Sequence, residues 1–292
     1  MEMVLEIRNL CKNYNDFSLQ NINMSLEKGT LTGFIGPNGA GKTTTIKSIL
    51  NIIKPDNGKI MVLNMDSITD ELEIKSKLGI VLDDGHFYED LTLKNMKDLI
   101  APMYPTWNDT IYQSNLKKFE LPEKKKIKDL SRGMRMKYAL VLALSHGAEL
   151  FILDEPTSGL DPLVRSELIE ILKELVFDNN KTILMSTHIT SDLDKIADFL
   201  YFIYNGKIIL QGQKDEIKER HSMVKGDNAA LPPDYDSYFI GINKSAYGFE
   251  GLTDNKGALK RVLPDKTVYE VPSIEDIMLY YTRRNNHEFK HS

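Results

Sequence analysis

The residues Gly36-Pro37-Asn38-Gly39-Ala40-Gly41-Lys42-Thr43 follow the pattern Gly-x-x-x-x-Gly-Lys-Ser/Thr. That spacing suits a phosphate ligand. Backbone N–H groups can close around phosphate oxygens only where no Cβ intrudes and where unusual φ values are permitted, and glycine meets both conditions. Lys42 then reaches the β- and γ-phosphates of a nucleoside triphosphate, and Thr43 ligates Mg²⁺ through its hydroxyl. The N-terminus of the following helix adds a favourable dipole.

A second constellation is Leu150-Phe151-Ile152-Leu153-Asp154-Glu155. An apolar strand ending in two adjacent carboxylates is expensive unless both have work to do, because burying unpaired charge is costly. At the C-terminal end of a parallel strand they face the crevice where open α/β sheets bind ligands. Asp154 is expected to hold Mg²⁺ through water, and Glu155 to act as general base on a water attacking the γ-phosphate.

The elements that must position these groups are legible in outline. Met3 to Leu10 and Leu19 to Leu26 alternate apolar and polar residues, which predicts a small antiparallel sheet. Leu31 to Ile35 reads as a strand running into the glycine loop, and Lys42 to Ile53 as the helix after it, stopped by Pro55. Spacing over residues 91–148 is mostly helical, a helical subdomain inserted between strands. The runs Leu150 to Leu153 and Thr182 to Met185, with a helix over Val164 to Val176 between them, predict a parallel sheet covered on both faces. Asn205-Gly206 joins two strands as a hairpin. Beyond Gln213 the composition changes, and a terminal helix is expected over Ile274 to Arg283.

With these elements in order, the chain resembles the ATP-binding cassette family, the ATPase subunits of ABC transporters, over about residues 3–215. Leu130-Ser131-Arg132-Gly133-Met134 is similar to the family's signature motif LSGGQ, Ser158-Gly159-Leu160-Asp161 to its D-loop, and Ser186-Thr187-His188 to its switch histidine. Lys42 to Ser131 is 89 residues, Ser131 to Glu155 is 24 and Glu155 to His188 is 33, spacings that suit the family. The resemblance implies a P-loop NTPase fold of the α/β class: an antiparallel β subdomain, a mixed or parallel core sheet and a helical subdomain (about 86–148) within residues 1–215. Residues 216–292 would form a small α+β accessory or dimerisation subdomain.

By the same resemblance ATP is bound by Tyr14, which would stack on adenine, by Gly36 to Gly41, and by Lys42, Thr43 and Thr44. Ser131, Gly133 and Asp161 would complete the site across a head-to-tail dimer. Ser131 is also a good N-cap, so its hydroxyl and the free helical N–H groups could meet a γ-phosphate. Catalysis would rest on Glu155, His188 and Lys42, and Mg²⁺ on Thr43, Asp154 and Asp83. Asp83 stands where the family usually has glutamine, and Arg132 and Met134 depart from the signature. With the segment Asp83-Asp84-Gly85-His86-Phe87-Tyr88-Glu89-Asp90-Leu91-Thr92, these departures resemble a branch of bacterial exporter ATPases that includes those of acetoin use and phenol-soluble-modulin export.

Composition bounds the partners. Lys plus Arg number 37 against 42 Asp plus Glu, a formal charge of −5, which argues against nucleic-acid binding through bulk charge. The basic stretch Lys124 to Lys137 is a local exception and reads as a solvated face beside the triphosphate. One cysteine, Cys11, excludes an intramolecular disulfide and reads as small apolar filler in a reducing compartment. No apolar window approaches the ~20 residues of a membrane span. A separate transmembrane permease is therefore expected, with the chain at the cytoplasmic membrane face as a homodimer or a heterodimer with a related ATPase. The rival readings are a soluble ABC-type ATPase acting on nucleic acid or ribosomes, and a nucleotide-sensing subunit with poor turnover.

Overall fold

The computed structural model describes residues 2–82, 87–177 and 180–290. The alternating N-terminal segments form β1 (Met3–Asn13) and β2 (Ser18–Glu27), paired antiparallel. β4 (Asn57–Val62) and β5 (Met65–Asp66), unanticipated from the sequence, complete a four-stranded sheet of order β2-β1-β4-β5. Cys11 is only half-buried, and its sulfur accepts the Asn21 N–H at 3.4 Å, so it is more than apolar filler.

The unbroken apolar runs form the centre. Every residue of β3 (Leu31–Ile35), β7 (Leu150–Asp154) and β8 (Thr182–Thr187) is buried, as strands covered on both faces require. With β6 (Leu78–Val81), β9 (Phe199–Tyr204) and β10 (Lys207–Gln213) they form a six-stranded sheet of order β10-β9-β3-β8-β7-β6. Its pairs are parallel except for the β9–β10 hairpin, whose turn residues Asn205 and Gly206 both have positive φ. Register brings Ile35 level with Thr187, and Asp154 level with Ser186. The ends of three strands therefore open on one crevice.

Helix α1 (Lys42–Ile49) follows the glycine loop. It is shorter than its apolar spacing predicts, because Asn51 turns into the left-handed region at φ 52° before Pro55 is reached. α2 (Glu71–Ser76) leads into β6. Residues 93–145 supply α3 (Leu93–Ile100), α4 (Asp109–Lys118) and α5 (Arg132–Ser145), whose N-caps Thr92, Asn108 and Ser131 each accept a backbone N–H. The buried Tyr138 hydroxyl donates to Leu93 O at 2.7 Å and ties α5 to α3. α6 (Pro162–Phe177) and α7 (Thr190–Ile196) return the chain to the sheet.

Beyond α8 (Lys214–Arg220), β11 (Ser222–Gly226), β12 (Gly241–Ser245), β13 (Gly248–Thr253) and β14 (Val268–Glu270) form a third sheet, with α9 (Lys256–Val262) between β13 and β14. The terminal helix α10 (Ile274–Lys290) runs past its expected end. Its buried residues Ile274, Ile277 and Tyr280 belong to the same apolar cluster as Leu193 and Ile196 of α7. Among the described residues, no helix is long and apolar enough to cross a membrane.

Candidate active site

The loop between β3 and α1 needs glycine for two different reasons. A Cβ on Gly36 would stand 2.3 Å from Ile203 O, and Gly41 adopts φ 116° with Phe17 and Leu19 packed against it. The loop is stitched by Ala40 N–H to Pro37 O at 3.2 Å and by Gly206 N–H to Ala40 O at 3.0 Å. Asn38, Gly39, Gly41, Lys42, Thr43 and Thr44 line a cleft of about 530 Å³, together with Glu155 and with Asp16 and Phe17 from the β1–β2 turn. The N-terminus of α1 opens on it, and free helical N–H groups favour an anion there.

The Lys42 side chain is 6% exposed. Its Nζ donates to Gly36 O at 2.7 Å and Pro37 O at 3.3 Å and lies 3.2 Å from Glu155 Oε1. The other carboxylate oxygen, Oε2, sits 2.8 Å from His188 Nδ1 and accepts the His188 N–H at 3.3 Å. Lysine, glutamate and histidine thus form one connected row. Glu155 Oε1 is buried and accepts no hydrogen bond among the described residues. Glu155 holds φ 52°, a left-handed backbone that costs a non-glycine residue about 1 kcal/mol or more and that a following proline disfavours further. Its N–H on Ser186 O at 3.0 Å, and the Ser158 N–H on its carbonyl at 3.2 Å, hold that turn.

Asp154, also buried, accepts the Thr43 hydroxyl at 2.9 Å on Oδ2 and the Ser186 hydroxyl on Oδ1. Ser186 Oγ in turn accepts the Glu155 N–H at 3.3 Å. The role of Ser186 is not visible in the sequence beyond its place beside His188; it emerges from register, which sets it opposite Asp154. Thr43 and Asp154 are the donor pair that Mg²⁺ would use, two oxygens with the remaining ligands left to phosphate and water. Among the described residues no cluster of three or more His, Cys, Asp or Glu side chains could hold a metal.

The other expected residues sit differently. Tyr14 is half-exposed and stacks on Phe17, ring centroids 6.5 Å apart, so Phe17, which lines the cleft, is an aromatic the sequence reading missed. Ser131 caps α5 through Met134 N–H at 3.3 Å. Asp161 caps α6 through the N–H groups of Leu163 and Val164, both at 3.1 Å. Gly133 is buried where a Cβ would lie 2.3 Å from Val164 Cγ1, so α5 can approach α6 only with glycine there. These three residues are not joined to the Lys42–Glu155 row by any hydrogen bond or ion pair among the described residues. Asp83 lies outside the described residues. In the basic stretch, Lys128, Arg135 and Lys137 pair with Asp90, Glu89 and Glu167, which mutes its charge.

A family model described as ABC transporter matches residues 19–158. The lantibiotic transport ATP-binding protein SrtF of Streptococcus pyogenes is 34% identical over 215 residues, 73% of this chain and 92% of that protein. The chain belongs to the ATP-binding subunits of ABC transporters. The bacitracin transport ATP-binding protein BcrA of Bacillus licheniformis is 32% identical over 224 residues, covering 76% of this chain and 73% of that one. A solved ATP-binding subunit of an ABC transporter superposes with a TM-score of 0.67 at 28% identity, covering 74% of this chain and 92% of that one. As an ABC ATPase subunit, the chain binds ATP and hydrolyses it to drive transport.

Proposed function

We propose that this ABC ATPase subunit powers an exporter of amphipathic or antimicrobial-like peptides, acting at the cytoplasmic face of the membrane on a separate permease. The observation that carries the catalytic half is the row Lys42–Glu155–His188 beside the Thr43–Asp154 pair, at the ends of β3, β7 and β8. The cargo class rests on relatives named for bacitracin and lantibiotic transport. The narrower resemblance to the acetoin-use and phenol-soluble-modulin ATPases belongs to the same proposal.

In this reading an arriving triphosphate takes Lys42 off the Gly36 and Pro37 carbonyls, and the ammonium neutralises phosphate charge. The ion pair with Glu155 then loosens, leaving Oε1 to accept the proton of the attacking water. His188 holds Oε2, which keeps Oε1 turned to the cleft. Thr43 and Asp154, with Asp83, would hold Mg²⁺, which when bound supplies charge neutralisation at the β- and γ-phosphates. Two cassettes, identical or one from a related subunit, would sandwich ATP, each offering Ser131, Gly133 and the Asp161 segment to the other's loop. Residues 1–215 would act as the cassette, with a helical part at about 86–148, and residues 216–292 as the accessory subdomain.

The test is purification from native membranes. The proposal expects a multi-spanning membrane protein to accompany the chain and an amphipathic peptide to stimulate its ATPase. Recovery with RNA or DNA and no membrane protein, or stimulation by no peptide tried, would contradict it.

A further inference from the structure

We propose that α10 is a positioning element for catalysis, holding the His188 loop through α7. The inference rests on the reading of His188 as the residue that orients Glu155. A cleft of about 410 Å³ is lined on one side by His188, Ile189 and Ser191, and on the other by Glu275, Met278 and Leu279 of α10. The switch histidine and the terminal helix therefore face one cleft from opposite sides.

The local structure of α7 makes this contact matter. The helix has seven residues, and its N-cap residue Ile189 offers no side-chain cap. So short a helix draws its stability from packing rather than from its own hydrogen bonds. On one flank the Arg165 guanidinium donates to Asp192 Oδ1 at 2.7 Å and Ser191 Oγ at 2.8 Å, anchoring α7 to α6. On the other flank Leu193 and Ile196 share an apolar cluster with Ile274, Ile277 and Tyr280 of α10. His188 and Ile189 alone link the end of β8, fixed by the core sheet, to this clamped helix.

α10 takes its own position from the C-terminal sheet. The Tyr280 hydroxyl donates to Glu250 O on β13 at 3.2 Å, and the Tyr281 hydroxyl lies 3.0 Å from His221 Nε2 beside β11. Displacement of that sheet would thus reach His188 through α10 and α7. The Lys42 loop makes no hydrogen bond or ion pair with α10 among the described residues, so ATP affinity should be spared.

The test is a double-mutant cycle on the full chain, read by single-turnover ATP hydrolysis and by nucleotide affinity. Leu279 is 45% exposed, so Leu279→Ala folds; Met278→Ala, on the same cleft, is the second variant. Each is expected to slow hydrolysis about threefold to tenfold, as displacement of a catalytic group does, with the Kd for ATP within about twofold. In a His188→Ala background the same substitutions should change the residual rate by less than about 1.5-fold, because effects routed through one group do not add. A His188→Ala rate equal to the parent's would remove the active-site reading, and this proposal with it. A slowed His188→Ala protein to which Leu279→Ala adds its full effect would remove this proposal alone, as would parental rates in both α10 variants.

Discussion

Ser186 is the residue whose importance the structure reveals most directly. It is fully buried, its hydroxyl donates to Asp154 Oδ1, and its oxygen accepts the Glu155 N–H. Ser186→Ala would leave one oxygen of a buried carboxylate without a donor, while Thr43 keeps the other at 2.9 Å. Hydrogen bonds to charged groups contribute about 1.5–3 kcal/mol, so a loss near 2 kcal/mol is expected, which lowers the unfolding temperature by about 3 °C in a chain of this size. The freed Asp154 also loses its fixed orientation toward Thr43. The turnover number should fall about tenfold, while KM stays near parental because the Lys42 loop is untouched. Thermal unfolding by circular dichroism and steady-state phosphate release measure both. A melting temperature within about 1 °C of the parent, together with undiminished turnover, would refute the claim that Ser186 holds the two carboxylates.

Gly133→Ala should destabilise by about 1–3 kcal/mol through overpacking against Val164, and Gly133→Ala with Val164→Ala should recover most of it in urea unfolding; an unaffected single variant would show that α5 and α6 can yield. Phe17→Ala and Tyr14→Ala should each raise KM for ATP about threefold to tenfold at constant turnover, with Phe17 the stronger because it lines the cleft. His146 is buried and stacked on Tyr104 at 4.0 Å, and burial pushes its imidazole down to about 4. Unfolded histidine protonates near pH 6.5, so the unfolded chain takes up the proton first as pH falls. The contribution of neutral His146 is whole above about pH 6.5 and fades toward pH 4, about 3 kcal/mol in total. His146→Phe should flatten that part of the stability profile, and an unchanged slope would place the acid sensitivity elsewhere.

The motif residues were readable because their chemistry forces both type and spacing. A phosphate loop needs Gly36, Gly41 and Lys42 in that order, and two carboxylates at the end of an apolar strand announce a site. Strands buried on both faces were equally plain, since runs such as Leu-Phe-Ile-Leu have no polar alternation. What the sequence hid depends on register and on packing between distant segments. Ser186 reaches Asp154 only because β7 and β8 align residue for residue. Phe17 comes to the cleft because Gly41 leaves room for its ring. The apolar run at the end of β4, Ile60 to Val62, is too short to mark a strand beside the polar residues before it, β5 has only two residues, and α10 comes to the cleft beside His188 across a chain separation that no local pattern records. Ser131 and Asp161 are helix caps by geometry as well as motif residues, and the sequence had shown only the first of these as a cap.

The central claim is that Glu155 takes the proton of the water that attacks ATP. Glu155→Gln keeps the shape of the side chain and removes its basicity, so the measurement is single-turnover ATP hydrolysis beside equilibrium ATP binding for this one variant. The expected result is a Kd within a few-fold of the parent and a hydrolysis rate lowered by about a hundredfold or more. Hydrolysis at the parental rate with ATP bound would contradict the account.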